Sequence, residues 1–434
     1  MTTAMDATVL PVNPLPSTFE RVGKSIAIGF VLLLFAANQF PHTTTIKEIA
    51  FYGALALFVS LLLFRKISLK VASPLTIPAV IFFAAVCVGS FWALNQENTL
   101  HDLYTHLIRY ILLWLVMTSL LDRKRDIELL LAVVVGATTV FCLYSMVDMY
   151  IVHRLPLITR LLNAGSKEIT TNLLGIHTML AINLAVYKLK SLAKVSVKVG
   201  YAFAILVLLL ASLATQSRSL LLAMVLSSLI IFLANRDAVK LLVVLAVLAV
   251  GAMYSPLGDR LTQNLATDIR IKHMFLCLEV VKEYPLTGIG FGMQTFAENL
   301  DLKKYDAAVS KKYKLKTNAD IILTDPHNLY TDIAVRTGIV GFSAFMYLLY
   351  ATYRMLWQSM TTRVKERFDL TLALLGSLSS FLLIGLFEPV FSHSMEMILC
   401  LLFAMTQMVW RDQGAVLWGD GGFPASAPLA ACST

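Results

Sequence analysis

The sequence contains few charged residues. Asp, Glu, Lys and Arg make up 15% of its 434 residues, whereas about 25% is usual for a soluble globular protein. Hydrophobic residues make up 58%, and one soluble core cannot bury that excess because such cores stop growing at about 250–300 residues. The composition therefore indicates a polytopic membrane protein, and it excludes intrinsic disorder except at the two ends.

Cysteine is also scarce, and no two cysteines have the CxxC spacing of a metal or redox site. Four of the five lie in apolar stretches, where cysteine behaves as a small hydrophobic residue. A disulfide-stabilised scaffold is therefore excluded. The five are Cys87, Cys142, Cys277, Cys400 and Cys432.

Long apolar runs are abundant, and about 20 such residues in a helix cross the hydrocarbon core of a bilayer. We predict an all-α polytopic membrane protein with about twelve transmembrane helices and one long, partly helical extracytoplasmic loop. The first run follows Arg21 and Lys24 and is expected to be an uncleaved signal-anchor. The predicted spans are 25–40, 49–64, 73–94, 103–121, 127–151, 169–187, 197–214, 218–234, 239–254, 328–353, 369–387 and 390–410.

The net charge of +9 is distributed unevenly between the loops. Nineteen lysines and arginines lie in the N-terminal arm, in every second loop after it and at Arg411, which the twelve-span pattern puts on one side. The richer side is cytoplasmic by the positive-inside rule, so the charge indicates topology rather than a nucleic-acid partner. The arm 1–24 and the Gly-, Ala-, Pro- and Ser-rich tail 411–434, expected to be disordered, would both be cytoplasmic. The opposite short loops hold Lys47, Arg154, Arg160, Lys167 and Arg218.

One connection is long: residues 255–327 separate spans 1–9 (25–254) from spans 10–12 (328–410). Long loops in compact proteins are usually functional. Within it, 266–282 has the pattern of an amphipathic helix lying on the bilayer surface. A glycine-rich turn follows at 285–292, which lacks the GxGxxG pattern of a nucleotide site. The lysine-rich stretch 302–316 is expected to be a solvated, mobile face.

A histidine marks the start of span 10. Asp325 is suited to an N-cap and Pro326 to the first helical position, which predicts His327 in the first turn. The helix dipole there would favour a neutral imidazole, the form that a general base needs. The alternative interpretation is a polar helix cap at the membrane surface. Further along, Asp332 and Arg336 are spaced to form an ion pair where the helix enters lipid.

Two arginines are predicted on the same side of the membrane as His327. Arg218 opens span 8, where an arginine beside exposed helix N–H groups forms a good phosphate site. Arg270 lies at the start of the predicted surface helix. The structural alternative for Arg218 is an arginine that extends its charge to the interface. A neutral base beside two guanidinium groups suits attack by a hydroxyl on a sugar carbon whose leaving group is a phosphate.

These residues resemble the O-antigen ligase (WaaL-type) family. The resemblance rests on His327-Asn328, on Gly338-x-x-Gly341 after it, and on Arg218-x-x-x-Leu222 upstream. Arg270 followed by the glycine-rich turn 285–292 is also similar to the family's periplasmic loop. The detailed likeness covers about residues 205–345, and Gly338 and Gly341 would also allow close helix packing.

The resemblance implies a bacterial inner-membrane glycosyltransferase with a periplasmic active site. It would move O-antigen polysaccharide from undecaprenyl pyrophosphate to a sugar hydroxyl of lipid A-core, building lipopolysaccharide. His327 would be the base, and Arg218 and Arg270 would bind the pyrophosphate. No acidic metal cluster is evident in the loops, so we expect a metal-independent reaction without a cofactor, with arginine in place of a cation at the leaving group. Direct attack by the hydroxyl would invert the anomeric carbon.

Further polar residues are candidates for substrate contact. Arg109 and Glu388 are expected near the extracytoplasmic membrane face, where ionisable groups are often functional. We include five residues: Gln216, Asn328, Arg109, Arg160 and Glu388. Lys167 is a weaker candidate, and His393 lies near Glu388 in the sequence.

Other activities remain open at this level. An O-antigen polymerase would use the same donor with a second lipid-linked repeat as acceptor. A protein O-oligosaccharyltransferase would use a Ser or Thr side chain. A lipid-linked oligosaccharide transporter would need charges lining a path through the bilayer, whereas here most charges lie at the two faces.

Overall fold

The fold is helical throughout the part of the chain that the structure, a computed structural model, describes. That part comprises residues 18–162, 171–192, 194–253, 269–314, 322–361, 364–388 and 395–412. The helices are α1 Thr18–Ala37, α2 Thr44–Leu63, α3 Thr76–Gly89, α4 Gln96–Leu120, α5 Lys124–Val152, α6 Thr171–Ser191, α7 Val195–Ala214, α8 Arg218–Ala234, α9 Ala238–Met253, α10 Ile269–Glu283, α11 Thr295–Glu298, α12 Leu302–Tyr313, α13 Leu329–Ser359, α14 Lys365–Ile384 and α15 Met395–Arg411.

Each of the twelve predicted spans falls on one of these helices. By length and composition, α2, α4, α5, α7, α13 and α14 are long and apolar enough to cross a membrane, and α3, α8 and α9 contain shorter apolar stretches. The prediction of an all-α polytopic membrane protein is confirmed. The predicted tail lies outside the described residues beyond Asp412, as do the first 17 residues of the N-terminal arm.

One end of the bundle, here called the basic end, collects the lysines and arginines assigned to the cytoplasm. Lys24 lies 2.5 Å from Asp122, and Lys124 lies 2.6 Å from Glu366. An Arg411 guanidinium nitrogen donates to the Lys70 carbonyl at 2.5 Å. These contacts involve α1, α5, α14 and α15. They lie at the loops that are predicted to be cytoplasmic because they are rich in lysine and arginine. Opposite lies the loop end, which carries residues 269–314.

Helices α8 and α14 run antiparallel through the bundle. Near the basic end Lys365 donates to the Asn235 side chain at 2.6 Å, and farther along Ser380 donates to the Ala223 carbonyl at 3.1 Å. Five more residues along each helix lead to Arg218 and to Gly385. The start of α8 and the end of α14 therefore share the loop end.

The glycine-rich turn 285–292 is built into α13. Gly338 interrupts that helix with φ +62°, and a Cβ atom there would lie 2.2 Å from the Leu286 carbonyl oxygen. The turn supplies the missing hydrogen bonds, because Ile289 N donates to Val335 O at 2.9 Å and Gly290 N to Arg336 O at 3.2 Å. A broken helix at membrane depth needs such partners. The lack of a side chain at Gly338 therefore allows this turn to approach α13 closely. The sequence suggested close packing of a neighbouring helix at this position instead.

The loop helices pack on the protein. In α10, Leu276, Cys277 and Val280 are buried in a cluster with Val335 of α13. The expectation of a helix lying on the bilayer surface was therefore wrong, because its apolar face has a protein partner. The lysine-rich stretch forms α12, whose Tyr305 and Val309 join the same cluster while its lysines face outward.

Candidate functional site at the loop end

His327 lies in the chain just before α13. Its φ is +48°, so the chain turns sharply between Pro326 and the helix. Asn328 is the N-cap, because its Oδ1 accepts from Tyr330 N at 2.9 Å and from Thr331 N at 3.0 Å. The predicted cap at Asp325 was wrong, and His327 precedes the first turn. Asn328 is the cap because its backbone is extended and its short side chain reaches both free N–H groups.

Asn328 also ties this turn to the end of α14. Its Nδ2 donates to the Leu386 carbonyl at 2.9 Å, and Leu329 N donates to the Gly385 carbonyl at 2.6 Å. These bonds bring the segment 385–388 against His327. Asn328 was predicted to contact the substrate, whereas these hydrogen bonds give it a structural role.

The imidazole of His327 is mostly buried beside an acidic side chain. Its Nδ1 lies 4.0 Å from Oε2 of Glu388, with 23% of the His327 side chain exposed and 5% of that of Glu388. Burial lowers the pKa of His327, Asp325 opposes that shift, and the positive charge of Arg270 adds to it. The neutral imidazole is therefore favoured near pH 7, chiefly through burial, whereas the sequence suggested the helix dipole.

Arg270 reaches this site from the first turn of α10. It is exposed, and its charge acts on His327. The helix is held by a buried ion pair, Lys272 to Asp306 of α12, at 2.5 Å. The structure thus places Glu388 beside His327, and Arg270 within electrostatic range of His327, from three separated segments.

A second histidine, His273, was missed in the sequence. It is 4% exposed, its ring meets Phe296 edge to face at 5.6 Å, and it interacts with His327 and Asp325. Burial lowers the pKa of His273 to about 4. Its position three residues after Arg270, on the same helix face, was the available signal.

Arg218 begins α8, as predicted, with Ser217 as its N-cap accepting from Leu220 N at 3.4 Å. The pairing of α8 with α14 places Arg218 at the loop end, level with the end of α14. Arg218, in the first turn of a helix, therefore lies at the same end of the bundle as His327. That arrangement suits an anion.

Gln216 and Arg160 hold the turn before α8. Gln216 takes φ +52° and donates through Nε2 to the Ile158 carbonyl at 2.7 Å. Arg160 donates through Nε to the Thr215 carbonyl at 3.1 Å. These bonds fix the backbone of the turn that directly precedes Arg218. Lys167 and His393 lie outside the described residues.

Arg109 lies apart from this group. Its guanidinium is 2.6 Å from Glu48 and 4.7 Å above the centre of the Phe51 ring, both on α2. The structure gives no contact between Arg109 and His327. Its surroundings form a separate polar cavity.

The predicted ion pair on α13 is present and buried. Arg336 Nε lies 2.6 Å from Asp332 Oδ1, and Arg336 also donates to the Phe291 carbonyl at 3.3 Å. The pair therefore fastens the glycine-rich turn to α13. In the part of the chain described, no three His, Cys, Asp or Glu side chains are grouped as metal ligands.

A family model matches the part of the chain that holds the core of this site. Residues 203–346 match the family model described as O-antigen ligase. The match runs from α7 into α13 and includes Arg218, Arg270 and His327. A search of the curated proteins gives no match to the chain. The resemblance predicted from the sequence is confirmed at the level of the superfamily, which includes ligases and polymerases.

Proposed function

We propose that this protein is an O-antigen ligase of the bacterial inner membrane. It transfers O-antigen polysaccharide from undecaprenyl pyrophosphate to a sugar hydroxyl of lipid A-core, on the periplasmic side. The observation that carries the proposal is the placement of His327 beside Arg270 and Glu388, within and next to the segment that matches the ligase family.

His327 serves as the general base. The acceptor hydroxyl gives its proton to the imidazole while its oxygen bonds to the anomeric carbon of the donor sugar. The bond from that carbon to the pyrophosphate oxygen breaks on the opposite face, so the configuration inverts. Burial supports this role because it keeps the imidazole neutral.

The two arginines stabilise the pyrophosphate leaving group. As the glycosidic bond breaks, negative charge grows on the pyrophosphate, and guanidinium groups stabilise it through paired hydrogen bonds. Arg270 lies near the base, and Arg218 approaches from the start of α8 at the same end of the bundle. Neither role needs a metal ion.

The orientation proposed here rests on charge. Ion pairs and lysines of α1, α5, α14 and α15 collect at the basic end, which supports a cytoplasmic position for that end. The loop end would then face the periplasm, where lipid-linked glycans are presented. A membrane-embedded enzyme placed in this way receives both substrates from the same leaflet.

The test is transfer by the purified full-length protein in lipid nanodiscs. The donor is undecaprenyl-pyrophosphate-linked O-antigen, offered with lipid A-core, with a second lipid-linked repeat, or with a Ser/Thr peptide. We expect product with lipid A-core, and loss of about 10²–10⁴ in rate for His327→Ala. His153→Ala, which changes an exposed histidine paired with Asp148 at the end of α5, is the matched control.

Each other outcome identifies an alternative. Product with only the second repeat would make the protein a polymerase, and product with only the peptide would make it a protein O-oligosaccharyltransferase. Transport of the donor across the membrane without transfer would make it a transporter. Near-normal turnover by His327→Ala would overturn the base assignment.

A further inference from the structure

A polar cavity lies at the loop end on the side of α1, α2 and α4. Its volume is about 210 Å³, and its polar lining includes Asn38, Lys47, Glu48, His106 and Arg109. Lys47 interacts electrostatically with both Arg109 and Glu48. Two cations face one carboxylate here, so the cavity favours an anion of one or two charges.

An apolar cavity continues from it between α3, α4, α13 and α15. It measures about 80 Å³. Trp114, Phe345 and Phe403 line it, and His106 and Tyr110 border both cavities. Helix α3, which contributes Ala79 and Phe82 to this lining, also carries exposed apolar side chains, including Ile77 and Val80. The two cavities together have the form of a site for an amphiphile.

Three residues that line these cavities each carry a buried polar atom without a hydrogen-bond partner among the described residues. These atoms are Asn38 Nδ2, from the lining of the polar cavity, and Glu396 Oε2 and Trp114 Nε1, from the lining of the apolar one. Glu396 is 3% exposed, and its other oxygen binds His106 Nδ1 at 2.6 Å. Buried polar groups normally have partners, so these atoms point to a ligand that offers both donors and acceptors.

The backbone of α4 is also irregular at this place. Residues Leu103–Ile108, which include His106, form a π-helical turn, a feature that is common at functional sites. Trp114 lies five residues after Arg109 on α4, about 7.5 Å farther along the helix axis. The polar cavity at Arg109 and the apolar cavity at Trp114 therefore follow one another along this helix.

We propose that these two cavities form a binding site for a phosphate-bearing acyl lipid. The phosphate binds Lys47 and Arg109, a hydroxyl or amine of the head group donates to Glu396, and the hydrocarbon chain occupies the apolar cavity. A polyisoprenyl phosphate fits less well because it has no hydroxyl or amine to donate to Glu396. The site is separate from the one containing His327, and its occupancy does not depend on the proposed reaction.

Two sources share this chemistry: a membrane phospholipid and a phosphorylated, acylated glycolipid. If the occupant is the glycolipid, the site holds the acceptor, and that interpretation rests on the proposed function. The experiment therefore measures lipid binding and not transfer. A failed transferase assay would leave its result unchanged.

The probe is phosphatidylglycerol with a diazirine in one acyl chain, added to the full-length protein in phosphatidylcholine nanodiscs. After illumination, we expect labelled peptides that contain Trp114 and Phe403. Lys47→Gln with Arg109→Gln should lower this labelling at least tenfold. Ala79→Phe, which fills the apolar cavity without changing any charge, should lower it as well. Lys303→Gln with Lys311→Gln, on the exposed face of α12, is the control and should leave it unchanged.

Competition with unlabelled lipids identifies the source. Displacement by lipid A at a lower concentration than by phosphatidylglycerol would indicate the acceptor glycolipid, and equal displacement would indicate a membrane phospholipid. Stronger displacement by undecaprenyl phosphate than by either would overturn the assignment to an acyl lipid. The proposal would also be wrong if labelling of these peptides equalled that of the lipid-exposed face of α9, or if the Ala79→Phe variant, folded by thermal unfolding, labelled normally.

Discussion

The Nδ1 atom of His327 lies 4.0 Å from the Oε2 atom of Glu388. This separation is too long for a hydrogen bond to the neutral imidazole. When His327 takes a proton, however, the attraction between imidazolium and carboxylate grows at a site shielded from solvent. Glu388 would then stabilise the charge that develops during transfer more than it stabilises the resting state.

Glu388→Gln tests that relationship. The substitution keeps the size of the side chain and removes its charge, so we expect kcat to fall about 10- to 100-fold, equivalent to roughly 1.5–3 kcal/mol. KM for the lipid-linked donor should change little. Steady-state kinetics measure both, with Glu298→Gln, at an exposed glutamate of α11, as control. A change confined to KM would instead support direct substrate contact.

The pH dependence of transfer should report His327. Because burial lowers its pKa below the ordinary value of 6.5, activity should persist below pH 6.5 and be lost only as pH falls through the lowered pKa. Asp325 raises this pKa, so Asp325→Asn should move the acid limb to lower pH. Arg270 lowers it, so Arg270→Gln should move the limb to higher pH while reducing the rate. Identical limbs in the three proteins would contradict the assignment.

Arg218→Lys tests recognition of the pyrophosphate. Lysine keeps the charge but cannot form the paired hydrogen bonds of a guanidinium group on phosphate. We expect a loss of about ten- to a hundredfold in kcat/KM, equivalent to roughly 1.5–3 kcal/mol. Wild-type ligation by this variant would remove Arg218 from the phosphate site. EDTA should leave the rate of the wild-type protein unchanged, and inhibition would reopen the question of a metal ion.

Gly338→Ala tests the insertion of the glycine-rich turn into α13. The backbone of Gly338, at φ +62° and ψ −169°, lies in a region essentially restricted to glycine and costs an alanine about 1–3 kcal/mol. The added Cβ would also lie 2.2 Å from the Leu286 carbonyl oxygen. We expect a clear fall in melting temperature in detergent. Gly136→Ala, in α5 where a Cβ has no neighbour within 4 Å, should be neutral or slightly stabilising. Equal melting temperatures for the two variants would show that the turn can move aside.

Topology has its own test. On a cysteine-free background, a cysteine at Lys312 on α12 should react with a membrane-impermeant thiol reagent in intact spheroplasts. A cysteine at Lys190, near the end of α6, should react only after permeabilisation. The reverse pattern would place the loop end in the cytoplasm and remove the proposed periplasmic site.

The sequence by itself determined the helices and their two-sided arrangement. Apolar runs of span length can satisfy their backbone in lipid only as helices, so the positions of all twelve followed from hydropathy alone. The start of α8 at Arg218 and the pair Asp332–Arg336 also followed, because capping and i,i+4 spacing are local. These features depend on neighbours within a few residues along the chain.

Only the tertiary structure decided which groups meet. Glu388 reaches His327 because bonds from Asn328 and Leu329 fasten the end of α14 to the start of α13, and His273 joins them from α10. The same is true of α10, whose apolar face could equally have met lipid, and of Gly338, which could have met another helix. Hydropathy and glycine spacing predict that a helix face will be buried against something. Packing between segments far apart in the chain decides which segment buries it.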